Sequence, residues 1–208
     1  LSEGNNGWLK LSKNGRIHSR TNTLGAVTGR STASKPNIQQ IPSERAAYGK
    51  ECRELFYAPK GWELLGSDQS GIELRCLAHY MAEWDDGMYG KVILEGDIHT
   101  ANQEAAGLES RSQAKSFIYS WLYGAGSAKI GSIIGKGAKE GTRLKEQFLK
   151  GLPALKSLQE RVQEQAKKGK VKGLDGRYIP VRHQHASLNS LLQSCGAILA
   201  KRWVVIFH

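Results

Sequence analysis

The 208-residue sequence predicts a mainly helical α+β fold, and three observations carry that reading. Capping patterns followed by apolar residues at helical spacing recur from Ser70 onward. Short alternating stretches flank the turn signals Asn14-Gly15 and Asp175-Gly176, as the strands of small hairpins do. Glycine and proline punctuate the helical stretches, at Gly124 and at Gly151 with Pro153.

In chain order, Trp8 to Leu11 and Arg16 to His18 read as hairpin strands, so residues 1 to 24 form a small sheet rather than a helical domain. Gly25 to Pro42 is rich in Gly, Ser, Thr, Asn and Pro and reads as loop. Arg30, Lys35, Asn37, Gln39 and Gln40 give it donors suited to phosphates or base edges, although a plain polar connection has the same composition. Glu63 to Asp68 reads as a buried strand ending in a carboxylate. Ser70 with Glu73 forms a capping box, opening a helix through Ile72, Leu74, Leu77, Ala78 and Met81 to the break at Asp85-Asp86-Gly87. A carboxylate at the carboxyl end of a strand is a place where enzymes hold a divalent metal; Glu73 serves equally as a capping acid. Asp97 is an N-cap with His99 in the turn behind it.

Ser110 to Gly126 is the most informative stretch. Ser110 with Gln113 is a second capping box, so a helix starts at Arg111, and Gly124 ends it. Arg111, Lys115, Tyr119 and Tyr123 are spaced four apart and form one continuous stripe, while Ala114, Phe117, Ile118, Trp121 and Leu122 occupy the neighbouring arc and can be buried. Cations at a helix amino terminus suit a polyphosphate, and an aromatic ring a turn further on suits a sugar or base. An amphipathic helix with solvated cations and core tyrosines accounts for the same pattern.

Beyond it, Gly131-x-x-x-Gly135-Lys136-Gly137 lacks the spacing and the hydroxyl of a phosphate loop, and its glycines read as structural. Arg143 to Lys150 and Pro153 to Lys168 read as two helices, the second with a Leu155, Leu158, Val162 seam. Lys167, Lys168, Lys170 and Lys172 precede the hairpin signal Gly173 to Arg177. His183 and His185, two apart, cannot share a helical face, which disfavours a metal site. The last helix, Ser187 to about Trp203, places Asn189 and Gln193 at i and i+4.

Composition sets outer bounds. At 39% hydrophobic and 24% charged residues the chain is neither disordered nor membrane-like, no apolar run reaches the length of a membrane span, and no signal-peptide pattern is present, so a cytoplasmic location is expected. A net charge of +11 favours a phosphate backbone as partner; between Lys136 and Arg182 there are 13 basic and 5 acidic residues. Cys52, Cys76 and Cys195 have no Cys-x-x-Cys spacing and read as reduced core thiols.

Taken together, these motifs resemble family A DNA polymerases, the class of bacterial DNA polymerase I, and most closely the replicative polymerases of short-tailed, T7-like phages. The resemblance runs from about Arg16 to about Arg202. It rests on Thr28-Gly29-Arg30 with Pro36 to Pro42, on Asp68 to Arg75, on Asp97 to Thr100, on Arg111, Lys115, Tyr119 and Tyr123-Gly124, and on Asn189 with Gln193. It implies a right-hand polymerase with palm pieces at 1–80 and 172–208 around helical fingers at 81–171. By the same resemblance Asp68 and the Gln69 main-chain carbonyl ligate magnesium, two ions in the complete enzyme. Arg111, Lys115 and His99 hold the phosphates of a dNTP, and Lys115 doubles as general acid. Tyr119 lies at the incoming sugar and base with Glu73 beside it, and Tyr123 stands at the template position. Arg30, Asn37, Gln39, His185, Asn189 and Gln193 meet primer-template DNA.

The sequence departs from the commoner bacterial pattern at Gln69, Gly71, Tyr119 and His185. No His-Asp pair supplies a second catalytic aspartate before His208, nor is there a thumb or proofreading exonuclease. The expectation is therefore a partial chain, inactive alone, acting with host-cytoplasmic phage DNA replication and with a processivity factor or a second polypeptide as further partner. A non-catalytic DNA-binding module with a polymerase-like surface is the alternative.

Overall fold

The computed structural model describes residues 7–207, which form two compact units, one ending at Ser70 and one beginning at Gly71. The first unit is sparse in regular structure. A single helical turn, α1 (Trp8–Leu11), replaces the strand expected there. Its covered residues are Trp8 and Leu11, three apart on one side of a turn, and Trp8 meets Phe56 edge-on at 5.6 Å between ring centres. The hairpin itself is present, β1 (Ser12–Lys13) pairing antiparallel with β2 (Arg16–Ile17), and both turn residues take positive φ, 53° at Asn14 and 71° at Gly15.

The next segment is more ordered than a loop. β3 (Arg20–Asn22) pairs antiparallel with β4 (Thr32–Ser34), Thr21 opposite Ala33. A 3-10 turn at Ile38–Gln40 follows, capped by the Asn37 side chain, and α2 (Gly49–Glu54) covers Cys52. Glu63 to Asp68 has no regular secondary structure and belongs to no ladder among the described residues, with Leu64 69% and Leu65 82% exposed. An apolar run of this kind is buried only when strands flank it, and none does here.

The second unit is helical. α3 (Ile72–Asp85) starts one residue later than the capping box requires: Gly71 takes the N-cap with φ 62°, and no side chain caps the helix. That left-handed position suits glycine. α4 (Met88–Glu95), α5 (Ile98–Ala106) and α6 (Arg111–Leu122) follow, then α7 (Ser127–Ile133), α8 (Ala138–Gly151) and α9 (Pro153–Ala166). The hairpin β5 (Lys170–Lys172) and β6 (Tyr178–Pro180) pairs Val171 with Ile179, both buried.

The closing helix α10 (Ser187–Phe207) outruns the expected end, and Gln184–Phe207 is long and apolar enough to cross a membrane by length and composition. Asn189, Gln193, Lys201 and Arg202 interrupt this helix, so it holds no uninterrupted apolar run of that length. The half from Ser187 to Ile198 is largely buried in the core with Leu74, Leu77 and Leu155.

That core centres on Phe148, which meets Phe117 at 4.9 Å and Trp121 at 5.6 Å, both edge-on. α7 and α8 approach so closely that a Cβ on Gly131 would lie 2.1 Å from the Gly137 carbonyl, and one on Gly141 1.9 Å from the Ser127 carbonyl. The glycine punctuation is therefore packing. We expect Gly141→Ala to lower stability by about 1–3 kcal/mol in urea denaturation. Gly90→Ala, whose new Cβ would be no nearer than 3.8 Å to Ala78 within α4, should raise it by about 0.5–1 kcal/mol.

Candidate functional site

The amino terminus of α6 is built by its expected capping box. The Gln113 N–H donates to Ser110 Oγ and the Ser110 N–H to Gln113 Oε1, both at 3.2 Å. Ala114, Phe117, Ile118, Trp121 and Leu122 are all buried, which turns Arg111, Lys115 and Tyr123 outward and leaves Tyr119 half-buried at their edge. At the far end the Tyr123 N–H closes the last turn on the Tyr119 carbonyl at 2.9 Å, and Gly124 reverses the chain with φ 75°. Lys145 of α8 donates to the Ala125 carbonyl at 2.5 Å, and burial lowers the pKa of its ammonium.

The amino terminus of α5 meets that of α6. Asp97 caps α5 by accepting the His99 N–H at 3.0 Å and the Thr100 hydroxyl at 3.1 Å. The same carboxylate accepts Arg111 Nε at 2.5 Å and Nη2 at 3.2 Å. The arginine hydrogen bond holds the Asp97 carboxyl well below the usual carboxylate range and raises Arg111 in turn. His99 sits behind the pair with Nδ1 buried and without a hydrogen-bond partner among the described residues, its ring centre 6.3 Å from that of Tyr119. Burial first and the charge of Arg111 second lower its pKa, Asp97 opposes them, and Lys115 adds a smaller lowering effect. Two helix amino termini thus converge on one cluster of Arg, Lys and neutral His, a constellation that attracts a polyanion.

Glu73 of α3 accepts the Tyr123 hydroxyl at 3.0 Å and lies within electrostatic reach of Tyr119, whose pKa is raised by burial first and by that carboxylate second. Four of the expected nucleotide residues, His99, Arg111, Lys115 and Tyr119, therefore come together, with Glu73 joined to the stripe through Tyr123. The amide of Gln193 donates to Asn189 Oδ1 at 3.0 Å, and Asn189 and His185 line one cleft of about 160 Å³ with Gly124 and Lys145. His185 also stacks on His183, 5.4 Å between ring centres.

The remaining expected residues lie in the first unit. Asn37 is spent on shaping its own turn, accepting the Gln39 N–H at 3.0 Å, and the Arg30 carbonyl accepts the Ala26 N–H at 3.1 Å. Asp68 is exposed and Gln69 half-covered. Hard oxygen donors of this kind suit magnesium, but no three His, Cys, Asp or Glu side chains gather into a metal site among the described residues. A carboxylate and a carbonyl alone do not complete one.

Sequence reasoning missed the second task of Asp97, which its N-cap role concealed, and the Lys145 tether, which no local pattern announces. A histidine whose folded pKa is lowered binds fewer protons than in the unfolded chain, so stability falls as pH drops below its ordinary value of 6.5. We expect NMR titration to place His99 below that value, and Arg111→Gln to move it upward.

The chain matches the family model for DNA polymerase family A over residues 6–207. It is 47% identical to the DNA-directed DNA polymerase of Escherichia phage T7 over 228 aligned residues, covering 98% of this chain and 32% of that protein, and equally to that of Enterobacteria phage T3. The polymerase domain of Pol1 from M. smegmatis, solved in complex with DNA primer-template and dNTP, has a similar fold with a TM-score of 0.75 and 24% identity, covering 92% of this chain and 37% of that one. The chain spans about a third of the length of the phage relatives it matches.

Proposed function

This chain belongs to DNA polymerase family A, and from that membership we propose that it carries the incoming-nucleotide site of a phage-type replicative DNA polymerase. The reading divides it into palm pieces at 1–80 and 172–208 and fingers at 81–171. The observation that carries it is the meeting of Arg111 and His99 at two helix amino termini, with Lys115 and Tyr119 one and two turns further along α6.

In template-directed extension the primer 3′-hydroxyl attacks the α-phosphorus of a dNTP, forming one P–O bond and breaking the one to pyrophosphate. Charge develops on the leaving phosphates, and fixed cations that already point there stabilise it without reorganising. Arg111 and Lys115 are the permanent cations, and His99 is the neutral donor beside them. Lys115, exposed and one turn into α6, gives its proton to the departing oxygen. Tyr119 packs against the sugar and base, and Glu73 fills the space that a ribose 2′-hydroxyl would need. Magnesium, as this chemistry uses it, would draw on Asp68 and the Gln69 carbonyl, but those donors do not complete a site here. Tyr123, Asn189, Gln193, His185, Arg30, Asn37 and Gln39 face primer-template DNA in this reading, and the net charge of +11 supports such a partner.

The test is calorimetric titration of the 208-residue chain with a dNTP and with inorganic triphosphate. We expect both to bind, and Arg111→Gln and Lys115→Gln each to weaken binding about tenfold to a hundredfold, the effect of losing a hydrogen bond to a charged group. A chain that binds primer-template DNA but neither triphosphate would overturn the nucleotide site and favour a non-catalytic DNA-binding module.

A further inference from the structure

We propose that Asp97 is a positioning residue for nucleotide binding: it holds the Arg111 guanidinium in the orientation that presents its remaining N–H donors to the phosphates. The inference rests on the nucleotide reading above and deepens it. Arginine has five N–H donors in a rigid plane. The Asp97 carboxylate takes one from Nε and one from Nη2, along one edge of the fork, which leaves three, two along its end and one on the far side.

The carboxylate is itself anchored independently of Arg111. It accepts the His99 main-chain N–H and the Thr100 hydroxyl, so its place is set by α5 rather than by the arginine that leans on it. A flexible side chain with several rotamers is thereby held to one before any ligand arrives, and the entropy of ordering it is not left to the binding step. The pair has little value as a stabilising ion pair, because the Arg111 and Asp97 side chains remain 56% and 41% exposed and solvent screens them.

Positioning and simple electrostatics have opposite signs here. A carboxylate beside a polyanion site repels the ligand, so charge alone says that removing it tightens binding. Positioning says that removing it weakens binding. Asp97→Asn separates the two while keeping the helix cap, since asparagine caps as well as aspartate.

We expect Asp97→Asn to weaken inorganic triphosphate binding about tenfold, as loss of an orienting outer partner does, with the thermal midpoint little changed. The Arg111 Nε–H signal in a proton–nitrogen spectrum should shift toward that of a solvated arginine. In an Arg111→Lys background, where there is no fork to orient, adding Asp97→Asn should have no further weakening effect. Unchanged or tighter binding by Asp97→Asn, an unmoved Arg111 signal, or the same weakening in the lysine background would each overturn the proposal and leave the nucleotide site standing. Failure of the unaltered chain to bind triphosphate would instead remove the site on which it rests.

Discussion

The contact of Phe148 with Phe117 and Trp121 decides the orientation of the candidate site. Two aromatic rings of α6 grip one ring of α8 edge-on, and a helix held so cannot rotate about its axis without opening the core. Rotation is what matters, because Arg111, Lys115 and Tyr123 are outward only while Phe117 and Trp121 are inward. Ala114, Ile118 and Leu122 share that inward arc and leave no second face to bury. The chemistry on one side of α6 is thus fixed by hydrocarbon packing on the other.

Electrostatics then works on a stripe whose place is settled. Gathering an arginine, a lysine and a histidine within two helix amino termini concentrates positive potential, and the structure tempers it in two ways. Asp97 pairs with the arginine at the rim, and partial burial lowers the pKa of His99. The result is a cluster in which the cations and the histidine are held by α5 and α6.

Much of this was legible in the sequence because the signals were local. The capping box at Ser110, the terminator at Gly124, the N-cap at Asp97 and the five buried positions of α6 each depend on residues within a few places of one another, and each is present. Two of the misses share a cause, dependence on distant partners. Glu63 to Asp68 has a strand composition but no flanking strand among the described residues, and Trp8 leaves its expected hairpin because Phe56 lies far along the chain. Ser70 loses its cap to the left-handed Gly71, a choice set by backbone geometry and not by the pattern of side chains. Of the site, the stripe could be read; the Asp97 to Arg111 and Glu73 to Tyr123 bonds, spanning 14 and 50 residues, could not.

The glycine contact between α7 and α8 acts as a gauge block. With Gly141 seated on the Ser127 carbonyl, the separation of the two backbones has one value, and Lys145 stands one turn further along α8. From there its ammonium just spans to the Ala125 carbonyl, beyond the carboxyl end of α6. A residue with no side chain therefore sets where the strut that tethers α8 to the chain just beyond α6 is anchored.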